Sequence, residues 1–305
     1  MNKPLIIISG PTASGKSSLG VRLARDLGGE IISADSMQVY KYMDIGTAKI
    51  TKEEMQGVPH HMLDVADPHI NYSIADYKTA AKKCLEDILN RGKLPIVVGG
   101  TGFYIHALLY DTNFDESETD GAIRARLEQE AKVHGAEEMY KRLCEIDPES
   151  SEILHMNDHK RVLRALEFYE ITGYKISEHN RNEKEKIPDY NYIYFALNRD
   201  RSELYPIIEQ RVDEMFDKGL VDEINSLKQM GLTLDNISMQ GIGYKELFEY
   251  DDIELAKEAI KLNSRHYAKR QYTWLRHEKD ITWAQSPVSE EDYSWILKKC
   301  TEILE

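Results

Sequence analysis

Cysteine is scarce in this chain. Cys84, Cys144 and Cys300 are the only three in 305 residues. They are far apart and odd in number, which suggests neither a disulfide framework nor a zinc site, and a reducing compartment fits. Long apolar runs are missing too. No window approaches the ~18 residues that a membrane span needs, and no basic region leads into a long apolar stretch as in a secretory signal. The expectation is a cytoplasmic protein without a membrane partner. Positive charge is also in short supply: 39 Lys and Arg stand against 53 Asp and Glu, a net charge of −14. That balance weighs against indiscriminate affinity for nucleic acid or anionic lipid, yet one local basic face can still bind a polyanion. What is left is ordinary. Hydrophobic content is 41% and charged content 30%, as in a globular protein long enough for an α/β core and a smaller second unit.

The most specific stretch is Gly10, Pro11, Thr12, Ala13, Ser14, Gly15, Lys16 and Ser17. It fits G-x-x-x-x-G-K-[ST] at every fixed position. An apolar run, Leu5 to Ile8, precedes it, and Leu19, Leu23 and Leu27 follow at helical spacing up to Gly28 and Gly29. Strand, loop and helix N-terminus together aim backbone N–H groups and a helix dipole at one point. Lys16 adds a full charge there, and the Ser17 hydroxyl can hold Mg²⁺. Two or more linked phosphates are the expected ligand.

Downstream, Glu30 to Ser33 reads as a second strand, and Asp35 lies at its end. Ligands of open parallel sheets sit outside the carboxyl ends of the strands, so Asp35, one strand over from the phosphate loop, is a candidate general base or Mg²⁺-associated group. An Asp that merely caps a polar turn is the competing reading. Tyr42 to Lys49 reads as polar loop. The adjacent His60 and His61 point to opposite sides of an extended chain and make a poor metal pair; at least one should be a structural hydrogen-bonding group. Leu94 to Val98 is a buried strand that runs into Gly99, Gly100, Thr101 and Gly102. A carboxylate is common at that place in ATP-hydrolysing phosphate-loop proteins. Its absence weakens an ATPase reading, and the glycines let the backbone approach a ligand.

After about Asp111 the composition changes. Helical patterns follow at 123–134, 136–146, 148–154 and 158–172 without a plausible strand, so an all-helical insertion is expected at 113–189, between core segments 1–112 and 190–305. Its last long helix should be capped by Asn157 and Gly173 and carries Lys160, Arg161 and Arg164 in its first two turns. The mixed Lys/Glu sequence from Glu178 to Pro188 reads as a mobile loop, and Tyr192 to Leu197 as a strand returning to the sheet. Helices are expected at 202–217 and 220–231. In the first of these, spacing favours a surface ion pair for Arg211. From Ile253 to Lys279 no Gly or Pro interrupts, and one long helix is predicted. Lys261, Arg265, Lys269, Arg276 and Lys279, with Tyr272, share a stripe roughly 80° wide. Ile260, Tyr267 and Trp274 lie on a nearly opposing side, fit to pack on the core. A basic face with an interleaved aromatic suits contact with a phosphate backbone.

Taken together, these stretches resemble the bacterial tRNA dimethylallyltransferases, also called tRNA isopentenyltransferases. The matching segments are GPTASGKS at 10–17, SADSMQVYKYMDIGTAK at 33–49, VPHHMLD at 58–64, VGGTGFYI at 98–105, RARL at 124–127, RVLRALEFYEITG at 161–173, GIGYKE at 241–246 and SRHYAKRQYTWLR at 264–276. The resemblance implies a phosphate-loop NTPase-like parallel α/β core with an all-helical insertion. It implies Mg²⁺ and transfer of a dimethylallyl group from dimethylallyl diphosphate to N6 of the adenosine 3′ of the anticodon in tRNA. By the same resemblance, residues 10–17 grip the diphosphate, Arg211 and Thr101 join that site, and Asp35 is the base. Asp35, Ser36, Met37 and Gln38 meet the target adenine with Thr101. Arg124, Asn157, Asp158, His159, Lys160, Arg161 and Arg164 of the insertion, Gln240, Gly241, Ile242 and Gly243, and Arg265, Lys269 and Arg270 border the anticodon stem-loop. Gly241 departs from an expected Ala. A monomer is the expected form. The competing functions are an adenylate isopentenyltransferase acting on a free nucleotide, a phosphate-loop small-molecule kinase and a non-catalytic RNA-binding module.

Overall fold

The computed structural model describes residues 3–112 and 121–304. They form two compact units. The first comprises the chain up to Leu109 and from Asp189 onward, and the second is Tyr110–Pro188.

The first unit is an α/β layer built in chain order from β1 (Pro4–Ser9), α1 (Lys16–Leu27), β2 (Gly29–Ala34), α2 (Lys52–Met55), β3 (His60–His61), α3 (Ile74–Asn90), β4 (Leu94–Gly99) and α4 (Gly102–Leu109). Its strands are almost wholly buried, which explains their unbroken apolar runs, as a parallel sheet covered by helices requires. Ser73 caps α3 by a capping box with Asp76, and Tyr77, Ala81, Leu85 and Ile88 form its buried stripe.

The second unit is helical: α5 (Gly121–Ile146), α6 (Pro148–Ile153), α7 (His159–Thr172) and α8 (Ile176–Glu185). Helix α5 breaks at Gly135, whose φ of 83° departs from helical geometry. Leu127, Met139, Leu143, Val162 and Leu166 make a separate core. Two details differ from the sequence expectation. Asp158, not Asn157, occupies the cap position of α7, and its side chain makes no capping bond. Glu178 begins no loop; it lies inside α8. That helix forms because Ile176 packs on the unit's core and the buried Asp147 carboxylate accepts hydrogen bonds from Ser177 N (3.0 Å) and Oγ (2.7 Å). Neither anchor shows in local composition.

The chain then returns to the first unit through β5 (Asn191–Asn198), α9 (Arg201–Asp217), α10 (Leu220–Gln229), a 3₁₀ turn at Ile237–Gln240, α11 (Lys245–Glu249), α12 (Ile253–Leu275), β6 (Ile281–Gln285) and α13 (Glu290–Glu302). The six strands run parallel in the order β3-β2-β4-β1-β5-β6. β1 is thus central, and the loop after it opens at the carboxyl edge. β4 separates β1 from β2, so Asp35 lies two strands from the phosphate loop, not one. Helix α12 is also shorter than predicted. It stops at Leu275, leaving Arg276 and Lys279 in the turn that leads to β6. Asp280 takes a left-handed φ of 57° in that turn.

Candidate active site at the carboxyl edge of the sheet

The loop after β1 is shaped by its glycines. Gly15 holds φ at 84° just before α1. A Cβ on Gly10 would come within 2.7 Å of Ser14 Oγ and 3.1 Å of Leu197, so only glycine fits without a shift. The loop is held from outside as well. Ser286 Oγ donates to Ser14 O at 2.6 Å. Gln271 of α12 accepts from Thr12 N at 2.8 Å and donates to Gly100 O at 3.0 Å. Gln271 is buried and fills the space a side chain on Gly100 would need. It joins the end of β4 to the phosphate loop, and an isolated Gln in a helical pattern gives no sequence signal of that task.

The loop lines one side of a cleft of about 570 Å³. Thr12, Ala13, Gly15, Lys16 and Ser17 face it; Gly10, Pro11 and Ser14 shape it from behind. Ser33, Asp35 and Gln38 come from the end of β2, Asp44 to Thr51 from the next loop, Ile207 to Lys218 from α9, and Tyr267 and Gln271 from α12. Gly99 lets the ends of β2 and β4 close together just before Asp35; a Cβ there would sit 2.1 Å from Ala34 O.

Lys16, Lys49, Arg211 and Lys218 line the cleft, and of these Lys16 and Arg211 bond to the phosphate loop itself. Lys16 Nζ donates to Pro11 O at 3.3 Å. The residue is only part-buried, but its ammonium is enclosed. Burial, followed by repulsion from Arg211, lowers its pKa from 10.5 to about 8, while Asp35 pulls it partly back. Arg211 is not the surface ion pair that spacing favoured. Its Nη1 donates to Thr12 Oγ1 at 3.4 Å and its Nη2 to Ala48 O at 3.3 Å.

Asp35 combines the two readings of the sequence. Its Oδ1 accepts from Met37 N (2.9 Å) and Gln38 N (3.3 Å), as a turn-capping Asp does, and the residue also lines the cleft. Thr101 Oγ1 accepts from Ser36 N at 3.0 Å, and Thr101 N donates to Ala34 O at 3.0 Å, tying the ends of β2 and β4 together. Gln38 is engaged within the protein: Oε1 accepts from Ser33 Oγ at 3.4 Å, and Nε2 donates to Thr47 O at 3.2 Å and Ala48 O at 3.5 Å. Tyr267 closes this side with its ring 5.5 Å from the Arg270 guanidinium. Burial, then Asp35, pushes its phenol up to about 12, so it is a neutral hydroxyl at physiological pH.

No group of three or more His, Cys, Asp or Glu among the described residues could hold a metal ion unaided. His60 Nδ1 lies 2.8 Å from Val58 O and His61 Nε2 2.7 Å from Glu30 Oε2, so both histidines are structural. The oxygen donors nearest the phosphate loop's ligand side are the Ser17 hydroxyl and the Asp35 carboxylate, in a cleft that Asp44, Glu54 and Glu214 also line. Such a set suits Mg²⁺ shared with phosphate oxygens and water, since that ion is usually held by one or two protein groups.

The other predicted contacts fall in several places. Gly241 and Gly243 are buried, and Gln240 donates to Leu234 O. A Cβ at Gly241 would lie 2.6 Å from Met37 Cε, the far end of a flexible side chain, so the expected Ala would require only a small shift. On α12, Lys269 and Arg270 are exposed, whereas Arg265 pairs with Glu209 and Lys261 with Asp213 (3.0 Å). Tyr272 does not interleave with exposed cations. It is buried, with its hydroxyl 2.9 Å from both Arg199 N and Arg199 O. In the second unit, Asn157, His159, Lys160 and Arg161 are exposed around the start of α7 and Asp158 is part-buried. Arg124 and Arg164 flank the buried Glu167 at 3.7 and 3.4 Å.

Comparison with known proteins bears on this geometry. The pattern of the IPP transferase family matches residues 38–278. The chain is 45% identical to a tRNA dimethylallyltransferase of Lachnoclostridium phytofermentans, over 99% of this chain and 96% of that one. It is likewise 45% identical to one of Oceanobacillus iheyensis, over 100% and 99%. Among solved structures, the full-length tRNA isopentenylpyrophosphate transferase of Bacillus halodurans is 40% identical with a TM-score of 0.74, covering 99% of this chain and 98% of that one. A eukaryotic dimethylallyltransferase acting on tRNA gives 33% and 0.80, over 93% and 74%. A phosphate loop, an aspartate and a half-buried arginine on one cleft, within a chain alike to the bacterial proteins over nearly its whole length, place this protein in the IPP transferase family.

Proposed function

We propose that this protein transfers the dimethylallyl group of dimethylallyl diphosphate to N6 of the adenosine 3′ of the anticodon in tRNA, releasing diphosphate. The carrying observation is one cleft that sets Lys16, Arg211 and the phosphate loop against Asp35. The allylic C–O bond breaks and its electron pair leaves with the diphosphate. Lys16, Arg211 and the loop N–H groups stabilise the negative charge that develops on the departing oxygens. Ser17 would hold Mg²⁺, which would supply further positive charge there. The N6 nitrogen forms the new C–N bond and loses a proton to Asp35. Two backbone N–H groups on Oδ1 fix the carboxylate's rotation, leaving Oδ2 for that proton. The adenine must leave the anticodon-loop stack to reach the cleft. We further infer that the exposed Lys269 and Arg270, with Lys160 and Arg161 of the second unit, meet the RNA backbone. No helix among the described residues is long and apolar enough to cross a membrane.

The test is mass spectrometry of unmodified tRNA incubated with the protein, Mg²⁺ and dimethylallyl diphosphate, with adenosine monophosphate as parallel acceptor. One five-carbon unit on the anticodon-loop adenosine, with the free nucleotide unreacted, is the expected result. Modification of the free nucleotide alone would reassign the acceptor. No product with either acceptor from folded protein would defeat the reading.

A further inference from the structure

The loop from Asp44 to Lys49 carries no side chain given a catalytic role above, yet it is unusually tightly held. Thr47 Oγ1 donates to Met43 O at 2.7 Å, and Lys49 N returns to Asp44 O at 2.9 Å. Lys49, almost fully buried, spans Tyr40 O (2.9 Å) and the Asp64 carboxylate (2.7 Å). The strongest hold comes from Glu223 in the first turn of α10. Its Oε2 accepts from Asp44 N at 2.9 Å and Ile45 N at 2.7 Å. Its Oε1 accepts from Gly46 N at 3.1 Å and from the Tyr244 hydroxyl at 2.6 Å. Four donors converge on one carboxylate, and three of them are consecutive backbone amides. The Tyr244 ring lies against Gly46 so closely that a Cβ there would sit 2.6 Å from it.

What this clamp orients lies on the loop's other side. Gln38 Nε2 donates to Thr47 O and Ala48 O, and Arg211 Nη2 donates to Ala48 O. One cleft residue next to the proposed base and the cation beside the phosphate loop therefore share a single backbone carbonyl. The carbonyls of Thr47 and Ala48 follow directly on the three amides that Glu223 fixes.

We propose that Glu223 is a positioning residue for the transfer reaction, holding the 44–48 loop so that its carbonyls set Gln38 and Arg211 in the cleft. This rests on the function proposed above. A carboxylate is required because only acceptor oxygens satisfy three parallel N–H groups; an amide would turn an NH₂ against one of them.

Wild-type protein is assayed first with unmodified tRNA and dimethylallyl diphosphate, and failure there would count against the proposed function. Given transfer, Glu223→Gln should raise the donor KM about tenfold, the effect of one lost charge-assisted hydrogen bond, with a smaller fall in kcat. Hydrogen exchange at Asp44, Ile45 and Gly46 should accelerate together. A purely structural role would lower the folded, active fraction and hence apparent kcat, leaving KM unmoved, and that result would overturn the proposal. So would amides that stay protected. Should Glu223→Gln not fold, Glu223→Asp keeps the charge and withdraws the oxygens by one methylene. A donor KM raised about threefold or more then supports the clamp, and a wild-type KM overturns it.

Discussion

Lys16 and Asp35 carry opposite tasks in one cleft, and each predicts a distinct failure. Because burial and Arg211 bring the free Lys16 ammonium to about 8, a bound diphosphate should raise it again. Donor affinity is then full below pH 8 and falls by up to about tenfold per pH unit above it, with proton uptake on binding. Titration calorimetry in two buffers of different ionisation enthalpy reads both quantities. Lys16→Arg, charged throughout, should flatten the profile, and an equal fall in that variant would point to another group. Asp35→Asn should cut transfer by about a thousandfold while tRNA affinity in a filter-binding assay stays within about twofold. Normal turnover would remove Asp35 as the base. Lys16 was legible in the sequence because the motif fixes both its neighbours and its task. Arg211 was placed by the family resemblance and not by its spacing, and Gln271 and Glu223 gave no signal at all. An Arg, Gln or Glu on an amphipathic helix looks like solvated surface until the fold shows which loop it meets.

Elements were legible where a pattern is closed at both ends. Helix α3 has a capping box at Ser73 and a regular buried stripe of Tyr77, Ala81, Leu85 and Ile88, both readable from residue spacing. Helix α12 has a clear start at Asp252 but no Gly or Pro to mark its end, so its basic stripe was drawn one turn too long. Packing against α9 divides that stripe further. Lys257 and Lys261 meet Asp213, and Arg265 meets Glu209, whereas Lys269 and Arg270 are exposed. Charge on a helical wheel does not report what the next helix neutralises. If Lys269 and Arg270 contact RNA phosphates, replacing both with Ala should weaken tRNA binding and reduce the slope of log K against log salt by about 1.4 to 1.8. Lys261→Ala, which removes a cation already paired twice, should leave the slope within experimental scatter. Binding isotherms at several salt concentrations separate the two cases.

On the scale of the molecule, the two units have separate cores, and that separation makes their stabilities independently addressable. The parallel sheet supplies one core, centred on Ile6, Ile8, Leu23, Ile96 and Phe195; the helices of the second unit supply the other. In the second unit everything turns on Asp147, which is 1% exposed. It accepts from Ser150 N and Oγ and from Ser177 N and Oγ, so it pins the start of α6 and of α8 at once. Burial pushes its carboxyl up, but the four hydrogen bonds, led by the hydroxyls of Ser177 and Ser150, more than reverse the effect and hold its pKa below the ordinary Asp value. The unfolded chain therefore binds this proton more readily than the folded one. The stabilisation is complete above the unfolded value and is lost as pH falls through the lower folded value. Asp147→Ala leaves four donors without their acceptor and should cost about 3 kcal/mol. Hydrogen exchange followed along the chain should show that loss in residues 121–182, with the β1–β4 amides unchanged. A non-reactive diphosphate analogue at about a hundredfold above its Kd should do the converse. It adds about 2.7 kcal/mol to whatever unfolds with the cleft, and the cleft is lined by the first unit alone. Protection that rose equally in both units would mean they unfold as one.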